Sequence, residues 1–200
     1  MSSETNIQTK IIKLEEIFLK FSELNVRAQI KANEKKIDMR VRRLKDPDGF
    51  YMITLFLSYN DCHAILIYRK TQDDGKIIFY IYDPNGRNSA IKYDYKSNIA
   101  CNERFEIDLS MTPEKSINEE GRCALWCIIV IILWNSFEPS ERMIALNVFN
   151  LKMRENRVER TNFINDICSL LRPYKDITPS IVKQFIEQVK ERIVNLSIKF

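Results

Sequence analysis

The chain has 200 residues, 45% of them hydrophobic and 29% charged, with a formal net charge of +4. That supplies enough apolar material for one core with a helical appendage, and argues against a disordered chain. Five cysteines, an odd number, stand in a chain whose N-terminus is polar and shows no secretory signal. Reduced thiols in an intracellular protein are therefore expected.

Residues 1–5 read as a tail. Ile7, Ile11, Leu14, Ile17, Phe18 and Phe21 then recur at helical spacing, which predicts a helix from Ile7 to about Leu24. Residues 25–48 are ambiguous, being charged and weakly periodic, and they close on the turn residues Asp46-Pro47-Asp48-Gly49. Between Arg27 and Lys45 eight Lys/Arg face only Glu34 and Asp38, a local excess of +6 that includes Arg40, Arg42 and Arg43. Such a run serves a weak nucleic-acid or acidic-partner surface, or, more commonly, a solvated helix face.

Strands follow. Phe50–Ser58 is rich in β-branched and aromatic residues, and Ala64–Arg69 and Lys76–Tyr82 flank Thr71-Gln72-Asp73-Asp74-Gly75, a hairpin signal. Ile91–Tyr95 and Phe105–Leu109 suit shorter strands. Beyond Gly121 the pattern becomes helical: Cys123–Trp134, Glu141–Met153, Thr161–Leu171 and Pro179–Leu196, with Ser140 and Thr178 as N-caps and Pro179 at the first helical position. The run from Cys123 to Trp134 is apolar throughout but has only 12 residues. A membrane span needs about 20, so a buried helix is expected and no membrane partner. The order gives an α+β protein, one domain over residues 1–200. Its core, about 50–138, is a central mixed or antiparallel sheet with a buried helix; helices flank it at the N-terminus and over 139–200.

His63 is the only histidine in the chain. Any Cys–His or Ser–His chemistry must run through it. A five-residue hairpin loop at Thr71–Gly75 pairs Lys70 with Lys76 and sets His63 opposite Asp83 on the same face of the sheet, where a carboxylate fixes the imidazole tautomer and stabilises the imidazolium. Taken alone, His63 is more simply a strand-end histidine, and Asp83-Pro84-Asn85-Gly86 a turn. Cys123 opens the buried helix. There the helix dipole favours thiolate, and backbone N–H groups without helical partners suit an oxyanion. Gly121 permits a sharp entry to that helix. Burial as a small hydrophobe is the plain alternative for Cys123, as it is for Cys127.

No metal is expected, since the spacings of Cys62-His63 and Cys123-x3-Cys127 are not those of zinc knuckles. No phosphate-cradling glycine loop is present, and no cofactor is expected.

The order His63, Asp83, Cys123, with separations of 20 and 40 residues, resembles the cysteine peptidase clan of the adenovirus endopeptidase (adenain), the SUMO-specific proteases and the protease-like proteins of large DNA viruses. In that clan a His heads a strand, an acidic residue follows a hairpin, and the Cys opens a helix. Asp83-Pro84-Asn85-Gly86 is similar to the clan's acidic-Pro-x-Gly segment. Gly121-Arg122-Cys123-Ala124-Leu125-Trp126 is similar to its Gly-aromatic-Cys-x-x-Trp segment, with Arg122 in place of the aromatic residue. The resemblance covers about residues 50–138. It implies a thiol peptidase cutting peptide or isopeptide bonds near small residues, with a viral polyprotein or ubiquitin-like conjugate as protein substrate. The setting would be the host cytoplasm, and the virion for a viral protein. The implied catalytic residues are Cys123, His63 and Asp83, with Asn85 as the alternative third member. The clan places a Gln before the Cys as oxyanion donor. Residues 113–122 contain none, and Asn118 is the substitute with a donor amide. The clan's usual Trp after the His is Ala64 here. The rival readings are an acyltransferase with the same triad, and an inactive protease-like module that binds protein or nucleic acid.

Overall fold

A computed structural model describes residues 3–33, 47–58, 61–91, 105–119 and 121–196. The elements follow as α1 (Ser3–Phe18), a 3-10 turn (Ser22–Leu24), β1 (Val26–Asn33), β2 (Gly49–Ser58), β3 (Asp61–Thr71), β4 (Ile77–Tyr82), α2 (Arg87–Ala90), β5 (Phe105–Asp108), α3 (Cys123–Asn135), α4 (Arg142–Glu155), α5 (Arg157–Leu171) and α6 (Pro179–Asn195). The α+β class holds, with one mixed sheet. The chain falls into two compact units, residues 25–127, and residues 1–24 with 128–200.

In the first unit the strand order is β1-β2-β3-β4-β5. β3 is antiparallel to both β2 and β4, while β1 lies parallel to β2 and β5 parallel to β4. One face of the sheet gathers Tyr51, Ile53, Leu55, Ile65, Ile67, Ile77, Phe79 and Ile81 into an apolar cluster. The other face carries Phe50, Tyr68 and Tyr80 in a ring row. Ala64, Ile65, Leu66 and Ile67 are all buried, the continuous apolar run of a strand covered on both faces.

The hairpin differs from expectation. Thr71 pairs with Ile77, Lys70 with Ile78, and the ladder ends at Leu66 with Tyr82. Gln72 N–H bonds Lys76 O at 2.7 Å, so the loop contracts to Asp73-Asp74-Gly75. Gly75 takes φ +81°, the left-handed position of a three-residue hairpin, and the Asp74 carboxylate accepts the Lys76 N–H. The tighter turn moves the register by two residues, so Asp83 is not directly opposite His63. An even shift keeps each side chain on its face.

In the second unit the helices pair as α4 with α5, α5 with α6, and α1 with both α5 and α6. Each contributes one apolar stripe: Ile11, Leu14, Ile17 and Phe18 on α1, and Val182, Phe185, Ile186, Val189 and Ile193 on α6. Thr178 caps α6 by accepting the Ile181 N–H, with Pro179 at the first position. Ser140 does not cap α4. Glu141 takes that place, and its carbonyl receives the Ala145 N–H. The apolar run forms α3, with Leu125 to Leu133 fully buried. Its first turn belongs to the sheet unit, and residues from Ile128 onward belong to the helical unit. No helix among the described residues is long and apolar enough to cross a membrane. Most of the basic stretch, including Arg40, Arg42 and Arg43, lies outside the described residues, as do residues 92–95 of the expected strand at Ile91–Tyr95.

Candidate active site

His63 stands near the start of β3, paired across to Leu55 of β2, on the face of the apolar cluster. Asp83 follows the last residue of β4. Its N–H goes to Thr112 Oγ1 at 3.1 Å, and that hydroxyl donates to Ile81 O at 2.6 Å. The chain turns at Asp83-Pro84-Asn85-Gly86, closed by Gly86 N–H on Asp83 O at 2.9 Å. Pro84 O then accepts the N–H groups of Ile117 and Asn118, at 2.9 and 3.1 Å, so the 112–118 segment clamps the turn. Gly86 has φ +86°, and a Cβ there would sit 2.8 Å from the Lys115 and Ser116 backbone. Both its conformation and the close approach require glycine.

Although the strands do not oppose them, His63 Nε2 and Asp83 Oδ1 lie 2.7 Å apart. They are diagonal neighbours on one face, beyond the end of the ladder. The carboxylate is wholly buried and His63 is 3% exposed. Asp83 Oδ1 also accepts the Asn85 N–H at 2.8 Å. Its Oδ2 is buried without a hydrogen-bond partner among the described residues.

The second ring nitrogen, Nδ1, lies 3.3 Å from Asn85 Nδ2. Asn85 Oδ1 in turn accepts Asn118 Nδ2 at 2.8 Å. Both asparagines picked out from the sequence are therefore present, but joined in series behind His63. The amide of Asn118, expected as an oxyanion donor, is engaged with Asn85.

Cys123 is the first residue of α3. The first helical bond runs from Trp126 N–H to Arg122 O, so the N–H groups of Cys123, Ala124 and Leu125 have no intrahelical acceptor. The Cys123 sulfur accepts the Ala64 N–H at 3.2 Å, which ties it to the residue after His63. Cys123 is 6% exposed, so a substrate carbonyl has a narrow approach.

Burial alone would lower the imidazole pKa. The hydrogen bond to Asp83 opposes it, as do the hydrogen bond with Cys123 and the Coulomb effect of both groups, and the net result is a rise from 6.5 to about 9. The buried ring thus holds a second proton more readily than a free imidazole does, because of Asp83 and the Cys123 sulfur. The sequence did not point to Thr112, which fixes Asp83, or to the Ala64 N–H. Thr112 lies in no motif and Ala64 acts through its backbone rather than its side chain, so both are brought in by the sheet and the 112–118 clamp. Among the described residues no group of three or more His, Cys, Asp or Glu is placed to hold a metal ion.

No family model matches the chain, and no curated protein matches it.

Proposed function

We propose that the protein is a cysteine peptidase, with Cys123 as nucleophile, His63 as acid and base, and Asp83 as the residue that orients His63. The observation that carries this reading is the buried His63–Asp83 pair, 2.7 Å long, with the Cys123 sulfur interacting with the same ring. The thiolate adds to the carbonyl carbon of a peptide or isopeptide bond. The imidazolium gives its proton to the departing amine as the C–N bond breaks. Water, deprotonated by the now neutral ring, then cleaves the thioester. The N–H groups at the start of α3 suit the oxyanion. Transfer of the acyl group to an acceptor other than water follows from the same thioester and is the near variant of this reading. The resemblance to the adenain and SUMO-protease clan favours small residues at the cut, in a polyprotein or a ubiquitin-like conjugate.

The test is covalent labelling by a peptide vinyl sulfone or ubiquitin-type aldehyde probe, read by intact mass. One adduct is expected on the wild type and none on Cys123→Ser. An unlabelled wild type, or equal labelling of the variant, overturns the proposal. The 6% exposure of Cys123 favours an inactive binding module as the second reading, and an unlabelled wild type is the result it requires.

A further inference from the structure

The amides of Asn85 and Asn118 stand in line behind His63 Nδ1, and Asn118 Oδ1 at the end of that line is buried without a hydrogen-bond partner among the described residues. As placed, every donor points the same way. Asn118 Nδ2 donates to Asn85 Oδ1, Asn85 Nδ2 to His63 Nδ1, and His63 Nε2 to Asp83 Oδ1. That polarity suits a neutral ring with its proton on Nε2. A second proton on Nδ1 would face the Asn85 amide donor to donor.

An amide has nearly the same shape after a half-turn about its last bond, since its oxygen and nitrogen exchange places. If both amides turn, His63 Nδ1–H donates to Asn85 Oδ1, and Asn85 Nδ2 donates to Asn118 Oδ1. Asn118 Oδ1, which now lacks a partner among the described residues, acquires one, and Asn118 Nδ2 gives one up. The backbone need not move, because the Asn85 N–H stays on Asp83 Oδ1 and the Asn118 N–H on Pro84 O.

We infer that Asn85 and Asn118 form a two-amide relay that reverses when His63 gains its second proton, so that Asn118 sets the charge of a ring it does not touch. Both are positioning residues. Asn85 meets Nδ1, and the Cys123 sulfur, the group His63 must serve, interacts with the same ring, so the relay biases whether that ring holds a second proton for the leaving amine. Asp83 and Cys123 are the ionisable groups that act on the ring. The inference rests on the peptidase reading for its purpose but not for its test.

Because His63 is the only histidine, 15N-histidine labelling yields one pair of ring signals, which report its tautomer and pKa directly. Asn118→Asp supplies an end group that only accepts. It should lock Asn85 Oδ1 toward Nδ1 and raise the His63 pKa by about one unit, a ten-fold change. In an Asn85→Ala background most of that rise should vanish. An equal rise in both backgrounds is plain through-space charge and overturns the relay. If Asn85→Ala does not fold by circular dichroism, Asn85→Ser, whose hydroxyl is too short to bridge, replaces it. Coupling without probe labelling retains the relay and rejects the peptidase. Labelling without coupling does the reverse.

Discussion

Strand β3 holds two buried cationic side chains on one face, His63 at one end and Arg69 at the other, with Ile65 and Ile67 between them. Their surroundings differ. Arg69 meets Asp48, and Thr71 completes the network. The Thr71 hydroxyl accepts from Arg69 Nη1 at 3.0 Å and donates to Asp48 Oδ1 at 2.9 Å, while the Thr71 N–H takes Asp48 Oδ2 at 2.9 Å. Both carboxylate oxygens are used, that carboxylate is 41% exposed, and the guanidinium never loses its charge. Arg69 Nε is buried without a partner among the described residues. At His63 the carboxylate is fully buried, one of its oxygens lacks a partner among the described residues, Nδ1 meets an amide, and the Cys123 sulfur interacts with the same ring. At Arg69 a carboxylate with both oxygens bonded ties the end of β3 to the start of β2. At His63 a titratable ring beside a buried carboxylate can change its proton count, as the proposed reaction requires. The same strand thus builds a structural ion pair at one end and a titrating one at the other.

The largest effect that would break this contrast comes from the carboxylates. Asp83→Ala leaves His63 buried without its main partner, a loss of about 3–5 kcal/mol. Probe labelling of Cys123 should fall by about 10²-fold or more. Arg69→Met should cost only about 1–2 kcal/mol, because the half-exposed Asp48 regains water. It should leave labelling unchanged. Urea unfolding and labelling rates on the same samples check both. If Arg69→Met slows labelling as Asp83→Ala does, the two ends are not functionally distinct.

pH sharpens the contrast next. The His63 pKa is raised in the folded chain from 6.5 to about 9. A raised value means that the stabilisation from the protonated ring is complete below about 6.5 and is lost as pH climbs through about 9. Wild type should therefore lose stability relative to His63→Gln across that window. The gap between wild type and Arg69→Met should stay constant there. Urea midpoints from pH 6 to 10 measure it, and labelling should decline on the alkaline side near 9. A His63→Gln difference that does not vary with pH would remove the titrating end.

The two ends were not equally legible in the sequence. The hairpin, the buried helix and the order His63, Asp83, Cys123 could be read because each rests on local pattern. The register could not, since Thr71–Gly75 admits a five-residue loop, and only Gly75 in the left-handed region with Asp74 on the Lys76 N–H selects the shorter one. The His63–Asp83 pair survived that error because an even shift preserves the face, and long side chains bridge the diagonal. β1 was missed although Val26, Ala28, Ile30 and Ala32 alternate with Arg27, Gln29, Lys31 and Asn33, a period of two weakened by alanine and surrounding charge. The Asn118–Asn85 contact spans 33 residues, and the Arg69–Asp48 contact spans 21. Neither leaves a local signature.

The smallest expected difference lies in the two threonines that serve the carboxylates. Thr112 is 2% exposed, and its hydroxyl stands between the Asp83 N–H and Ile81 O. Thr112→Val keeps the shape but leaves that donor and that acceptor buried without partners, about 1–3 kcal/mol. Thr71 is exposed, so water replaces its hydroxyl, and Thr71→Val should cost about 0.5–1 kcal/mol. Thr112→Val should also slow labelling, because the Asp83 backbone is what it fixes, and should lower the His63 pKa as the carboxylate loosens. Thr71→Val should do neither. A His63 pKa that stays unchanged in Thr112→Val would mean that the turn and its clamp on Pro84 O suffice to hold Asp83. The site would then depend on the 83–86 backbone rather than on this buried hydroxyl.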